Sequence, residues 1–523
     1  MFKPGSMQKI LCHMFKRNHD ECHGPFIPFT VLEPIRRMSF TLQKPKIEDI
    51  NVPDVQHTDK LFSSDLETFL WLHNIAPGFP VGGNKVSVID VPSHFYETLL
   101  TKCQSAKKRI TLASLYLGTG RLEEKLVSAI HQNLNQAGGR LKVKVLIDYM
   151  RGSRGKLNSR RMLLPLLKHH HESCQVSLYH TPALRGPLRS LLPARYNELI
   201  GLQHMKLYLF DNSLLISGAN LSNDYFTNRQ DRYLLIEDCE PLADFFDGLV
   251  SRVSEFSLQL NAQDQVQLHS SWSLYPFKGR QAEFVSAARK HVWDHYSAAV
   301  KQQQQALTSS TGADTWIFPL IEMGQLGIHH DSQVTTQLLS SAHPGSLIHL
   351  ATGYFNLTQE YMNTIIHRSA ACYRILMAHP TANGFLGAKG PAGGIPAAYT
   401  ELAAKFLKQL QAEDHSCRVQ MFEYQKPGWT YHAKGLWYTL PGKKLPSLSL
   451  VGSPNFGCRS VHRDLETQVA VVTNNKKLQH AWLQEQQRLF GLGSPFTEVT
   501  CAAPERTVPL WVHLIVWLCR NYF

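Results

Sequence analysis

Residues 201–233 read GLQHMKLYLFDNSLLISGANLSNDYFTNRQDRY, and this stretch decides the fold. His204, Lys206 and Asp211 form an H-x-K-x4-D pattern, followed by Gly218, Asn220 and Asp231. The run 205–210 is β-prone, 211–213 is a turn, and 214–217 is a returning strand. Side chains alternate faces along a strand, so His204 and Lys206 point the same way while Met205, Leu207 and Leu209 enter the opposite face. An imidazole beside a fixed cation is what displacement at phosphorus requires, one group to attack and one to hold the charged oxygens.

Residues 431–466, YHAKGLWYTLPGKKLPSLSLVGSPNFGCRSVHRDLE, repeat the constellation. His432 and Lys434 are again two apart, and Gly452 and Asn455 follow a second apolar strand at 448–451. Asn220 lies 11 residues before Asp231, and Asn455 lies 11 before Glu466. Upstream, ITLASLYLGTG (110–120) is matched by IHLATGYFNLT (348–358), and the strand 143–147 by 375–377. The two histidines stand 228 residues apart, about one domain. The chain is therefore expected to be α/β, two copies of one unit, each giving half of a single site.

Composition is that of a folded protein, 43% hydrophobic and 18% charged, which excludes a disordered chain. The net charge of +13 favours polyanionic partners, whether nucleic acid, anionic membrane or phosphorylated small molecules. Ten scattered cysteines without a C-x-x-C pair fit reduced thiols. Cys12, His13, His19, Cys22 and His23 have no zinc-finger spacing, and the run His169–His171 reads as an exposed helix end.

The paired motifs resemble the phospholipase D superfamily. ASLYLGTG, RGSRG, YFTNRQDRY, TGYFNLT, HAKGLWY and GSPNFG-x-RSVHRDLE look more specifically like the eukaryotic phosphatidylglycerophosphate synthases, a family of mitochondrial CDP-diacylglycerol:glycerol-3-phosphate 3-phosphatidyltransferases. The resemblance covers roughly residues 70–523. It implies two phospholipase D-like α/β/α sandwiches, related by a pseudo-twofold axis and sharing one active site. The expected layout is an N-terminal extension (1–74), a first unit (75–265), a helical linker (266–314), a second unit (315–496) and an apolar tail (497–523). The implied substrates are CDP-diacylglycerol and glycerol-3-phosphate on an anionic membrane surface, with no nucleic acid. A mitochondrial location, peripheral on the matrix side of the inner membrane, and a step toward phosphatidylglycerol and cardiolipin are implied as well.

The expected chemistry is a double displacement. One histidine attacks the lipid phosphorus and expels CMP, and the glycerol-3-phosphate hydroxyl then attacks the phosphatidyl-histidine. Lys206, Lys434, Asn220 and Asn455 would hold the non-bridging oxygens, while Asp231 and Glu466 would each orient an imidazole. Thr439 stands where the first motif has Asp211, so the second half-site is incomplete, and the histidine-to-asparagine connection is longer, 23 residues against 16. That contrast makes His204 the expected nucleophile and His432 the acid/base. The basic loop DYMRGSRGKLNSRR (148–161) follows a strand end, where α/β proteins place ligand contacts. Arg151 and Arg154, with Arg463 of the second half, are the candidate phosphate-binding residues, against the alternative of a solvated basic loop. No carboxylate cluster of a magnesium site is visible, so no cofactor is required, although a divalent cation could assist.

The remaining stretches leave alternatives open. The basic amphipathic segment 7–17 fits a presequence, a membrane-surface helix or an ordinary surface helix. ASLYLGTG lacks the lysine and hydroxyl of a P-loop and reads as a strand end and turn. Residues 281–305 carry helical spacing and lead into the linker KQQQQ. The glycine-rich run 383–399 reads as a mobile loop over the site or a surface turn. The tail 508–523 is too short to span a bilayer, and suits either an interfacial anchor or burial against the protein itself. Rival activities are a phospholipase D, a cardiolipin synthase-like or phosphatidylserine synthase-like transferase, a nucleic-acid phosphodiesterase, and an inactive scaffold.

Overall fold

The computed structural model describes residues 64–186, 189, 200–306, 313–388 and 393–519. The amphipathic N-terminal segment and the Cys12–His23 cluster lie outside the described residues.

Two large sheets carry the duplication. The first runs, in space, Val266–Leu268, Leu258–Leu260, Cys174–Tyr179, Lys142–Asp148, Arg109–Ala113, Leu207–Phe210, Ser213–Ser217, Tyr233–Ile236, Val86–Ile89. The second runs Gly493–Pro495, Val419–Tyr424, Cys372–Ala378, Leu347–Thr352, Gly435–Thr439, Leu448–Gly452, Leu465–Thr473, Thr315–Met323, Phe79–Val81. From Cys174–Tyr179 onward, seven consecutive strands match in order and direction. Parallel pairs lead, as βαβ crossovers require, and antiparallel pairs follow. The expected repeat is thus present strand for strand, in a mixed α/β fold.

Both sheets are apolar on both faces, so each must be covered twice. Leu207, Leu214, Leu234, Ile317, Ile321, Trp437 and Val469 meet in a core shared by the two units. The outer face of each sheet has its own core, around Leu112, Val145 and Leu163 in the first unit and Leu350, Ile375 and Phe406 in the second. The helix Gln281–Ala306 falls where the spacing predicts it and buries Phe284, Ala288, Val292, Tyr296 and Val300 in the shared core.

Three features that the sequence pattern did not expose tie the units together. Arg229–Gln230 pairs with Thr430–Tyr431 as a short parallel ladder. Arg232 is buried against Trp437, its carbon 3.7 Å from the ring centroid. Its guanidinium donates to Glu485, Ser449 and the Leu450 carbonyl, so its charge and donors are all engaged. Finally, Phe79–Val81 joins the second sheet although it precedes the whole first unit.

The chain ends also differ from a simple reading. The end of the N-terminal extension forms short helical turns, Ser64–Phe69 and Leu72–Ile75, whose Leu66, Phe69 and Leu72 fill the second unit's outer core. The tail contains the helix Leu510–Cys519, which buries Val512 and Val516 and leaves Leu510 and Trp511 exposed. Arg506 grips the buried carboxylate of Glu423 with both Nη atoms just before it. Among the described residues no helix is long and apolar enough to cross a membrane.

Candidate active site

The two histidines are each held by the opposite unit. His204 donates its backbone N–H to the Leu465 carbonyl at 2.8 Å and its Nδ1–H to Glu466 at 2.8 Å. His432 donates its N–H to the Gln230 carbonyl at 2.8 Å and its Nδ1–H to Asp231 at 2.6 Å. Leu465 and Gln230 occupy the same place, directly before the acid. The predicted strand from Met205 therefore starts only at Leu207, because the chain at Gln203 has left its own sheet to bridge Leu465. This crossing brings the two repeats into one site. A Cβ on Gly218 of the first unit would stand 2.7 Å from both Asp231 Oδ1 and Lys434 Nζ, so glycine is needed where the halves meet.

Every group of the centre is buried: His204, Lys206, Asp231, His432, Lys434 and Glu466 are all at most 4% exposed. Burial, with the adjacent lysines, holds both imidazoles well below their usual pKa, so they are neutral at neutral pH. With Nδ1 donating to a carboxylate, each presents the Nε2 lone pair, the form a nucleophile or base needs. Burial also lowers both lysines, against the pull of Glu466 and Asp231. The acids diverge. Burial lifts Glu466 to about 7 against Lys206 and its serine partners. Burial also acts upward on Asp231, but Lys434 and His432 outweigh it and leave its pKa lowered.

Asp211 is not part of this centre. It sits in the two-residue turn beyond Phe210, with left-handed φ of 51°, at the end of the strand away from His204. Seven residues of near-extended chain put it on the order of 20 Å from that ring. Its carboxylate accepts the backbone N–H groups of Lys107, Lys108 and Arg109 and so fixes the neighbouring strand's entry. Thr439 likewise ends its strand, opposite Leu347. The longer second connection is a longer hairpin, since the next strand begins only at Leu448. The missing second acid therefore has no bearing on which histidine attacks.

Asn220 and Asn455 follow the returning strands, and among the described residues their Oδ1 atoms are buried without a hydrogen-bond partner. Unpaired buried oxygens are rare in a finished interior and mark where a ligand completes the site. Arg151 lies 4.1 Å over the ring of Tyr116, whose hydroxyl bonds Ser222. Arg154 is half-buried on the same loop. Arg463 follows the helix Cys458–His462 as its cap, its carbonyl accepting from Gln325. ASLYLGTG is a strand end and turn that Glu123 closes. His170 packs on His131 at a helix end.

His204, Asp464 and Glu466 form the one carboxylate–histidine cluster of metal-binding size among the described residues. His204 Nδ1 bonds Glu466 Oε1, and Asp464 bonds Arg459 and the Leu202 N–H, while Glu466 Oε2 is buried without a hydrogen-bond partner among the described residues. Lys206 and Lys434 both act on Glu466, opposing the rise that its burial causes.

Several residues escaped the motif reading. Tyr225, six before Asp231, puts its hydroxyl 3.3 Å from His432 Nε2. Ser460, six before Glu466, instead bonds Glu466 and the Asn455 N–H. His204 Nε2 has no hydrogen-bond partner among the described residues. Tyr354 places its ring 5.7 Å from His432 and stacks on Tyr399. Its counterpart in the repeat is Tyr116, and Ser114 and Thr352 donate to the two tyrosine carbonyls in the same way. Counting back from the two acids pairs Tyr225 with Ser460, and matching 110–120 with 348–358 pairs Tyr116 with Tyr354.

No family model matches the chain. It is 47% identical over 479 residues to the mitochondrial CDP-diacylglycerol–glycerol-3-phosphate 3-phosphatidyltransferase of Homo sapiens, covering 87% of this chain and 86% of the relative. It is 37% identical to a probable CDP-diacylglycerol–glycerol-3-phosphate 3-phosphatidyltransferase of Dictyostelium discoideum, over 87% and 80% of the two chains. The crystal structure of the phosphatidylserine synthase of Haemophilus influenzae superposes with a TM-score of 0.64 at 17% identity, over 88% of this chain and 98% of that one, and shares the fold.

Proposed function

The chain belongs to the CDP-diacylglycerol–glycerol-3-phosphate 3-phosphatidyltransferases, and from that premise we propose how its two half-sites divide the reaction. The enzyme transfers the phosphatidyl group of CDP-diacylglycerol to glycerol-3-phosphate. CMP leaves and phosphatidylglycerophosphate forms. The human relative is named mitochondrial, and we place this chain on the matrix face of the inner membrane, supplying phosphatidylglycerol and cardiolipin synthesis. The exposed Leu510 and Trp511 support contact with lipid on the side of the glycine-rich loop, because Trp511 packs against Gly394.

In the first step, His204 Nε2 forms a bond to the lipid phosphorus as the P–O bond to CMP breaks. In the second, His432 Nε2 takes the proton of the glycerol-3-phosphate hydroxyl, whose oxygen attacks phosphorus as the P–N bond breaks and His204 is restored. The observation that carries this division is the state of the two Nε2 atoms. That of His204 is unengaged, as an attacking nitrogen must be, whereas that of His432 meets the Tyr225 hydroxyl at 3.3 Å and Lys434 Nζ at 3.4 Å, as suits a group that passes a proton. The lowered pKa of Asp231 keeps it ionised to support the His432 imidazolium. Lys206, Lys434, Asn220 and Asn455 border the space for the phosphoryl oxygens, where charge builds in each transition state. A divalent cation carried by the substrate's diphosphate would assist without a protein ligand set.

A covalent relay lets the first half-reaction run alone. With CDP-diacylglycerol and radiolabelled CMP but no acceptor, label is expected to enter the liponucleotide in wild type and not in His204→Ala. Net transfer to glycerol-3-phosphate without any such exchange would show direct displacement and sink the relay.

A further inference from the structure

The pseudo-twofold breaks on the short helix before each acid. Asp224 and Arg229 stand seven and two residues before Asp231, while Arg459 and Asp464 stand seven and two before Glu466. Both are ion pairs, at 3.2 and 3.0 Å, with the charges exchanged between the repeats. They are held very differently. The Asp464 side chain is 1% exposed and also accepts the Leu202 N–H, so Arg459 is locked. The Asp224 side chain is 56% exposed and bonds only Arg229 among the described residues.

Arg229 itself is largely buried, 16% exposed, beside the base. Its Nε donates to Thr430 at 3.0 Å, and its guanidinium carbon lies 4.8 Å over the ring of Tyr225, whose hydroxyl faces His432 Nε2. On its open side lies Gly384 of the glycine-rich loop. A Cβ there would come within 3.2 Å of Arg229 Nη2 and 3.5 Å of the Tyr354 hydroxyl, closing the space over the guanidinium.

We propose that Arg229 is the seat of the acceptor's phosphate, taking that dianion in exchange for Asp224. The proposal rests on the reading of His204 as nucleophile. In-line displacement puts the leaving and entering groups opposite the attacking nitrogen, hence on the His432 side. Glycerol-3-phosphate carries its phosphate a three-carbon chain away from the hydroxyl that attacks. The dianion therefore settles beside the base and not on it, where the guanidinium of Arg229 lies over the ring of the tyrosine that meets the base. A half-exposed ion pair is screened and gives way readily, whereas a planar guanidinium in a mostly buried place binds phosphate through paired, charge-assisted hydrogen bonds. The seat would make the enzyme prefer a phosphorylated triol over glycerol, since a site built around a charged partner rejects the analogue that lacks it.

The test compares CMP exchange with transfer to glycerol-3-phosphate and to glycerol, using the full chain in CDP-diacylglycerol mixed micelles. Arg229→Gln is expected to raise KM for glycerol-3-phosphate by about tenfold or more. It should lower transfer far more than exchange, and reduce the preference over glycerol by a similar factor. Asp224→Asn, a change at an exposed position, is expected to lower that KM roughly threefold by freeing the guanidinium. Wild-type exchange with an unaltered KM in Arg229→Gln would overturn the seat and leave the relay standing. Equal loss of exchange and transfer in Arg229→Gln, or an unaltered or raised KM in Asp224→Asn, would also overturn it. Absence of exchange in wild type would remove the relay and the seat together.

Discussion

The two halves of the centre share a frame and differ in what meets the reactive nitrogen. In both, the histidine's N–H and Nδ1 are fixed by two consecutive residues of the other unit. In one, Nε2 is left clear beside Ser460 and an acid lifted to about 7 by burial. In the other it faces Tyr225, beside an acid that Lys434 and His432 hold ionised against its burial. Duplication supplied symmetric positioning, and a few substitutions on the short helices made two different chemical groups from it. The lesson is that symmetry of fold is maintained by backbone and Nδ1 contacts, which leave Nε2 free to diverge.

The largest expected effect separates the histidines. His204→Ala should abolish exchange and transfer alike, by on the order of a thousandfold or more. His432→Ala should lose transfer to the same degree yet retain measurable exchange, because CMP leaves as a phosphate that needs little protonation. Equal loss of exchange in both variants would erase the proposed division of roles.

The crossed acids come next. Asp231→Asn and Glu466→Gln should each lower transfer by on the order of a hundredfold or more, since an amide no longer fixes the tautomer or supports a charged ring. They should differ in pH response. Glu466 must be ionised to accept from His204, so exchange in wild type should rise as pH climbs through about 7 and then level off. Glu466→Gln should lack that limb and Asp231→Asn should keep it. A limb that survives Glu466→Gln would assign it to another group.

Tyr225→Phe should lower transfer about tenfold, by the loss of one hydrogen bond to the base, and should move the pH dependence of transfer but not that of exchange. Ser460→Phe would not be its mirror, because Ser460 serves Glu466 rather than a ring nitrogen. The smallest effect on rate belongs to Asp211→Ala. It should leave kcat/KM within about threefold and cost stability, about 1–3 kcal/mol, read as a lower melting temperature. A rate loss comparable to that of Asp231→Asn would return Asp211 to the chemistry.

The repeat, the α/β class and most strand positions were legible because apolar alternation and the H-x-K spacing are local properties. His204, Lys206, His432, Lys434, Asn220, Asn455, Asp231 and Glu466 could all be picked out by equal spacing from one another. Asp211 was misplaced for the same reason: its distance from His204 in sequence is short, but a strand carries it to the far end of the sheet. Arg229, Tyr225 and the Arg232–Glu485 lock were hidden because their partners lie some 200 or more residues away.

The sequence by itself determined that there are two units, that each holds an imidazole, a lysine, an amide and an acid, and that the family is one of phosphatidyl transfer. Only the tertiary structure decided that each acid serves the other unit's histidine. It also decided that the motif aspartate pins a strand, and that one arginine pair is locked while its charge-reversed twin opens to solvent. Spacing along a chain fixes which side chains share a strand face. It says nothing of which strand ends meet when two sheets pack, and the chemistry here arises at that meeting.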